Sequence, residues 1–174
     1  MLFRSAVLDA RRAGDWLLKQ GYRRLALLGT SLGSCVAFLT LAHDQRFRSG
    51  VFIHGSAYFA DICWHGLSTQ HVGESLKGSI ELDELRQLWL PISPYPFVER
   101  LRDTGQHLQI FAGRYDPTFL PHLSQQLFDK IERCRVPHEI NWLRCGHYTI
   151  GRLPFSAVVV QRTLRFLRRE RDRT

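Results

Sequence analysis

In Leu25-Ala-Leu-Leu-Gly-Thr-Ser-Leu-Gly33, a short apolar run leads into a glycine-rich turn. Residues 25–28 have the pattern of a buried strand, and small and apolar residues recur at helical spacing after Gly33. A strand that passes through Gly-x-Ser-x-Gly into a helix is the setting of a nucleophile elbow. Backbone segments must approach closely there, so we expect a Cβ at either glycine to clash. Ser31 is predicted to stand exposed at the top of a sheet, the alternative being a helix-capping serine.

The rest of the chain alternates strand and helix patterns around this turn. Strands are predicted at 25–28, 50–53, 108–111 and 138–143, and helices over 3–20, after residue 33, over 120–131 and over 155–167. Such alternation is typical of a parallel sheet with helices on both faces. We therefore predict an α/β fold with a mostly parallel sheet and flanking helices, in one domain over residues 1–174.

Residues 57–106 interrupt this alternation. They hold three of the seven prolines and only short helical patterns, which predicts a helical, lid-like insertion over the carboxyl ends of the strands. Its aromatic side chains either line an acyl or aromatic pocket or form local core: Trp64, Trp89, Tyr95 and Phe97.

Serine is a poor nucleophile unless a base, oriented by an acid, removes its proton. In an elbow-type fold the acid and then the base follow the serine along the chain. Asp116 follows strand 108–111 and His147 follows strand 138–143, so both are expected at carboxyl ends of strands. The sequence predicts Ser31 as nucleophile, Asp116 as acid and His147 as base. The backbone N–H of Leu32 would hold the oxyanion at the helix N-terminus.

Other side chains compete for these roles, namely Asp44, Asp61 and Asp103 as acids and His122 and His138 as bases. Asp103 precedes its strand, Asp44 lies close to the elbow helix, and His138 begins a strand at the wrong end of the sheet. His122 follows the predicted acid too early. The favoured acid also has a plainer reading as a turn residue before proline, and the favoured base as a packed loop histidine.

Composition excludes several classes of protein. With 44% hydrophobic and 23% charged residues, the chain is neither disordered nor a coiled coil. No run of about eighteen apolar residues predicts a membrane span, and residues 1–5 lack the apolar region of a secretory signal. The four cysteines lack regular spacing, so we expect reduced thiols in a cytoplasmic protein.

The net charge of +8 comes largely from arginine, and six arginines crowd the last helix: Arg162, Arg165, Arg168, Arg169, Arg171 and Arg173. A solvated helix face accounts for them, and without a recognised motif we predict no nucleic-acid partner. A zinc site built from Cys63-x-His65 and Cys145-x-His147 is a further alternative, but its spacing is not that of a zinc finger. We predict no metal and no organic cofactor.

Five segments together resemble a known family: Asp9-Ala-Arg-Arg-Ala13, Gly29-Thr-Ser-Leu-Gly-Ser34, Trp64-His-Gly-Leu-Ser-Thr69, Arg114-Tyr-Asp116 and Cys145-Gly-His-Tyr148. The chain resembles the carboxyl-terminal two-thirds of an α/β-hydrolase, in particular the group represented by α/β-hydrolase domain-containing protein 18 and its bacterial relatives. The resemblance implies Ser31, Asp116 and His147 as the triad, but no substrate. We expect Thr30, Trp64 and Tyr148 beside these residues to contact substrate.

The sequence departs from that family at its start, because the elbow begins at residue 29, after one helix. The strand and loop that give the second oxyanion donor are expected to be absent. His54-Gly55 is a substitute donor only out of order, after the nucleophile. The apolar edge of strand 25–28 would lack a partner, which suggests a gene fragment, an alternative start or a homodimer.

The combined expectation is a serine hydrolase for carboxylic ester or thioester bonds with a small-molecule acyl substrate. A weakened oxyanion hole suits good leaving groups, so amides are less favoured. The alternative is a truncated, non-catalytic hydrolase remnant or interaction module.

Overall fold

The computed structural model describes residues 2–173, in which four strands form one parallel sheet. The strands are β1 (Leu25–Thr30), β2 (Phe47–Ile53), β3 (His107–Gly113) and β4 (His138–Leu143). They lie side by side in the order β1-β2-β3-β4, and each neighbouring pair is parallel. The predicted α/β fold with a parallel sheet is confirmed.

Helices connect the strands and cover both faces of the sheet. They are α1 (Leu2–Lys19), α2 (Leu32–His43), α3 (Phe59–His65), α4 (Gln70–Leu76), α5 (Leu82–Leu88), α6 (Pro121–Arg133) and α7 (Phe155–Asp172). Neighbouring strand residues point to opposite faces, so Phe52 packs in the core under α2 and α6, whereas Val51 packs in a second core under α7. Within residues 2–173, no helix combines the length and apolar character needed to cross a membrane.

The segment 57–106 holds α3, α4 and α5 and ends in a 3-10 helix, Tyr95–Leu101. Val98 and Leu101 of that last helix are fully buried in the core shared with α2 and α6. Nearer its start, the backbone N–H of Leu67 donates to the carbonyl of Pro117 at 2.9 Å. The segment is therefore anchored at both of its ends, and its action as a lid stays a prediction.

Strand β1 lies at one edge of the sheet and, within residues 2–173, pairs only with β2. The side chain of Leu28 is 58% exposed there. An apolar groove of about 420 Å³ runs beside the strand between α1 and α2 and reaches Leu32 and Gly33. The expected unpaired apolar edge is thus present, and its pairing in a homodimer stays a prediction.

A buried amide joins the end of α2 to the start of β2. The Nε2 atom of Gln106 lies 2.9 Å from the carbonyl oxygen of Leu41, 3.3 Å from that of Asp44 and 2.8 Å from that of Phe47. The carbonyls of Leu41 and Asp44 each also accept a longer backbone hydrogen bond of 3.4 Å, so losing the amide donor removes the shorter partner from these buried residues. The side chain fixes the connection that places β2 beside β1.

We expect Gln106→Leu to lower the free energy of unfolding by about 1–3 kcal/mol, because it removes a buried hydrogen-bond donor shared by carbonyl acceptors. Chemical denaturation followed by circular dichroism measures this change. The control is Gln125→Leu, since Gln125 is exposed and its amide contacts Asp129 on the same helix. Equal losses in the two variants would contradict the structural role of Gln106.

Candidate active site

Each of the four strands delivers one polar side chain to the same edge of the sheet. Ser31 follows β1, His54 follows β2, Asp116 lies in the loop after β3, and His147 lies in the loop after β4. The carboxyl ends of parallel strands share an edge, so these residues meet although 116 positions separate the first from the last. Asp116 is 2% exposed and His147 is 8% exposed.

Ser31 occupies a strained turn between β1 and α2. Its φ is +52° and its ψ is −124°, a region that costs a non-glycine residue about 1–3 kcal/mol. Its N–H donates to the carbonyl of Ile53 at 2.9 Å, and its carbonyl accepts from the N–H of Ser34 at 2.9 Å. Strand pairing on one side and the first turn of α2 on the other thus hold the strained conformation.

The two glycines of the turn have different roles. A Cβ on Gly29 would lie 2.6 Å from the carbonyl carbon of Gly33 and 2.8 Å from Cα of Ser34. A Cβ on Gly33 would meet none of the described atoms within 4 Å. The expectation that a Cβ at either glycine would clash is therefore wrong for Gly33, which lies in α2 and borders the open groove.

A continuous chain of hydrogen bonds links the serine to the carboxylate. Ser31 Oγ lies 3.0 Å from His147 Nε2, and His147 Nδ1 lies 3.0 Å and 3.2 Å from the two carboxylate oxygens of Asp116. An ionised carboxylate only accepts, so Nδ1 carries the imidazole proton and Nε2 accepts from the serine hydroxyl. In this tautomer His147 can remove the proton of Ser31.

Asp116 is held by its own turn as well as by the base. The backbone N–H groups of Thr118 and Phe119 both donate to Oδ1 at 2.8 Å. Burial works to raise the pKa of Asp116, but hydrogen bonds from His147, His54 and these two amides outweigh it and hold the pKa well below its usual range. The carboxyl group therefore combines the turn role with a contact to the histidine.

His54 is a member of this cluster that sequence analysis missed. Its Nδ1 lies 2.9 Å from Asp116 Oδ2, although the N–H is poorly aligned with that oxygen, and its ring stacks on His147 with centroids 4.1 Å apart. Its backbone N–H donates to the carbonyl of Phe111 at 2.9 Å, so this N–H does not serve as the substitute oxyanion donor that the sequence analysis disfavoured. Its position directly after the apolar run Val51-Phe-Ile53 was the available signal.

The same three side chains, His54, Asp116 and His147, each place one ligand-type atom within 4.8 Å of the others. The imidazole proton on His147 Nδ1 already fills the space before the carboxylate, and a metal ion would have to displace it. Cysteine takes no part in this cluster within residues 2–173, so the alternative zinc set is not assembled. Burial also raises the pKa of the Cys63 thiol to about 11.

The other predicted site residues differ in exposure and in the side chains they contact. Leu32 begins α2, so its N–H is in the first turn, which has no acceptor within the helix. Thr30 is exposed directly before the serine. Tyr148 is 69% exposed, stands edge-on to His147 and shares a 2.7 Å hydrogen bond with Ser68. Trp64 is half-buried on α3, under the ammonium of Lys77.

The aromatic side chains of segment 57–106 do not gather in one place. Trp89 stacks on Phe59, with ring centroids 5.4 Å apart. Tyr95 and Phe97 pack against the core shared with α2 and α6. These contacts are those of local core, the plainer of the two readings that the sequence allowed.

The rival acids and bases are either held by other groups or exposed on the surface. Asp44 pairs with Arg11 and Arg46, and buried Asp61 accepts two hydrogen bonds from Arg86. Asp103 is exposed in a turn, His122 is exposed on α6, and His138 Nδ1 contacts the carbonyl of Val136 at 2.8 Å. The structure brings together Ser31, Asp116 and His147 rather than any of these.

At the level of sequence, no protein-family model and no curated protein matches the chain. Solved structures do resemble it. An esterase from Pyrococcus furiosus aligns with a TM-score of 0.72 at 21% identity, over 94% of this chain and 61% of the esterase. A puromycin-hydrolysing peptidase from Mycobacterium tuberculosis aligns with a TM-score of 0.69 at 19% identity, over 90% of this chain and 24% of the peptidase.

An acylaminoacyl peptidase from Pyrococcus horikoshii aligns with a TM-score of 0.72 at 13% identity, over 91% of this chain and 26% of the peptidase. The chain thus spans about a quarter of each peptidase and less than two thirds of the esterase. These likenesses show that the chain has an α/β-hydrolase-type fold. The narrower resemblance to the group of α/β-hydrolase domain-containing protein 18 stays a prediction.

Gly29→Ala and Gly33→Ala form a matched pair. We expect the Gly29 variant to lose about 1–3 kcal/mol of unfolding free energy, since its new methyl group overlaps backbone of α2. The Gly33 variant should change by less than about 1 kcal/mol, because open space receives the methyl group. Thermal and chemical denaturation of both proteins gives the comparison. Similar losses at the two positions would show that the turn differs from the one described.

Proposed function

We propose that the protein is a serine hydrolase that cleaves carboxylic ester or thioester bonds. The observation that carries this proposal is the unbroken contact chain from Ser31 Oγ through His147 to Asp116, with distances of 3.0 Å at both links. The strained backbone at Ser31 supports it, because such strain concentrates at functional sites.

The reaction follows from the positions of these groups. His147 Nε2 takes the hydroxyl proton while Ser31 Oγ attacks the substrate carbonyl, and the Leu32 N–H donates to the resulting oxyanion. The protonated imidazole then gives that proton to the leaving alcohol or thiol, which leaves an acyl-serine. Water, deprotonated by the same histidine, releases the acid and restores the serine. Asp116 keeps the imidazole oriented and stabilises its charged form.

The choice of esters or thioesters rests on the oxyanion site. Leu32 would supply one donor, and each oxyanion donor is typically worth about 100- to 1000-fold in rate. Alcohols and thiols leave more easily than amines, so they tolerate a weaker site. The solved structures with this fold include an esterase and two peptidases, which supports acyl transfer to water and leaves the acyl group open.

Three further parts of the proposal concern the cellular compartment, nucleic acids and self-association. The four free, buried cysteines suit a reducing, cytoplasmic setting. Several arginines of α7 are engaged by protein groups, such as Arg162 by Asn141 and Arg169 by Glu139, which favours a structural face over nucleic-acid binding. The unpaired edge of β1 is where a second copy would add, if the chain forms a homodimer.

A fluorophosphonate probe should label the protein, and Ser31→Ala should abolish labelling, because the probe reacts only with an activated serine. In-gel fluorescence or intact mass spectrometry reports the adduct. Ser75→Ala is the control, since Ser75 is exposed on α4 and should leave labelling unchanged. If the protein folds cooperatively but the probe does not label it, the serine-hydrolase proposal is contradicted and a non-catalytic remnant is favoured.

Asp116→Asn should reduce the labelling rate at neutral pH by roughly 10³- to 10⁴-fold. The amide oxygen can still accept from Thr118 and Phe119, but the amide NH₂ then faces His147 and favours the tautomer with its proton towards Ser31. Quenching the labelling reaction at timed intervals gives the labelling rate. Asp103→Asn, in an exposed turn, should label like the unmodified protein. An unchanged rate in Asp116→Asn would exclude this carboxylate from the triad.

A further inference from the structure

We propose that His54 is a positioning residue for the triad, which donates its Nδ1 proton to Asp116 and holds the ring of His147 by stacking. The inference deepens the proposed hydrolase function and rests on it for its kinetic consequence. Its structural part, the position of the proton on Nδ1 of His54, can be tested whether or not the protein is an enzyme.

The first step is the contact with the carboxylate. His54 Nδ1 lies 2.9 Å from Asp116 Oδ2, and the imidazole is 2% exposed. A lone pair on Nδ1 would face the lone pairs of an ionised oxygen at this distance, which repel it. The proton must therefore sit on Nδ1, where even a bent N–H contact with the carboxylate is attractive. Asp116 then receives one imidazole proton from each of two histidines.

The second step is the packing of the base. The rings of His54 and His147 stack with centroids 4.1 Å apart and an interplanar angle of 26°. Phe119 also lies against His147, with centroids 5.4 Å apart and an angle of 21°. These neighbours restrict rotation of the base away from Ser31, whose oxygen it must meet at hydrogen-bond distance.

The third step is that the backbone of His54 is itself fixed. Its N–H donates to Phe111, and its φ of +69° directs the side chain back into the cluster. The hydroxyl of Ser34 lies within hydrogen-bond distance of the carbonyls of both Ser31 and His54, and its single proton can serve one at a time. The serine turn and His54 are therefore coupled through one side chain of α2.

The fourth step is the charge of His54. Burial lowers its pKa, although the neighbouring Asp116 carboxylate and a hydrogen bond to the backbone of His147 oppose this, so the neutral imidazole is favoured when the base takes a proton. The titratable groups that act on it are Asp116 and His147. A neutral ring avoids placing a second cation against the imidazolium of His147.

Nuclear magnetic resonance of the ¹⁵N-labelled full chain tests the proton directly. Long-range ¹H–¹⁵N correlations distinguish the two neutral tautomers and the charged form, and His54→Asn identifies the signals of His54. We expect a neutral ring with its proton on Nδ1 at about pH 7 and above. A proton on Nε2, or a doubly protonated ring at pH 7, would overturn the proposal whether or not the protein is an enzyme.

Two substitutions separate the donor from the stack. His54→Asn keeps an N–H donor near the position of Nδ1 and tolerates positive φ, whereas His54→Phe keeps a ring and loses the donor. His54→Phe should lower the plateau labelling rate by roughly 10- to 100-fold, the value of a lost contact to a charged group. His54→Asn, which loses only the stacking on His147, should lower it by roughly 2- to 10-fold. His122→Asn and His122→Phe are the matched controls on exposed α6 and should label normally.

The pH profile distinguishes positioning from loss of folding. Without the His54 donor, Asp116 acts more strongly on His147 and stabilises the imidazolium, so the acid limb of labelling moves to higher pH in His54→Phe. In His54→Asn, which keeps the donor, the acid limb of the pH profile should stay where it is in the unmodified protein. Rates that fall only with the folded fraction, measured by thermal denaturation, and a limb unchanged in both variants would overturn the positioning role. The imidazole titration of His147 by magnetic resonance gives the same comparison without turnover.

Discussion

The carboxylate of Asp116 is the group on which the geometry of the site depends. Two amides of its own loop hold Oδ1, and two imidazoles meet at Oδ2. A buried charge is stable only when donors compensate for lost water, so the surrounding loops must adopt the arrangement that supplies them. This requirement joins the ends of β2, β3 and β4 at one point. The arrangement of the site thus follows from the need for protein hydrogen-bond donors to replace water around the Asp116 carboxylate.

The serine side of the site depends on the sheet in a different way. The backbone of Ser31 is strained, and that strain persists because β1 is paired with β2 and α2 begins directly afterwards. Gly29 permits the necessary approach of α2, which no residue with a Cβ could match without displacing backbone. Ser34 extends the same constraint to His54. Placement of Ser31 is therefore a property of the β1–β2 pair and α2 together.

The edge of the sheet next to this serine is open in the described structure. β1 leads into the Ser31 turn and yet pairs on one side only within residues 2–173. The solved structures that share the fold extend well beyond the region aligned with this chain. The strained Ser31 directly follows the strand with the open edge, so pairing of that edge bears on the rigidity of the Ser31 turn.

The sequence alone determined the four strands, the order of the helices and the positions of Ser31, Asp116 and His147. Short apolar runs, helical spacing and a polar residue after each strand are signals that can be read from the local sequence alone. It did not reveal that Gly33 faces open space, nor that His54 belongs with Asp116. Both facts depend on which chain segments approach from elsewhere, and pairing of β2 with β3 brings His54 beside the Asp116 loop. Only the tertiary structure decided them, because contact between distant residues is set by the register of the sheet and by the requirement that a buried carboxylate find its donors.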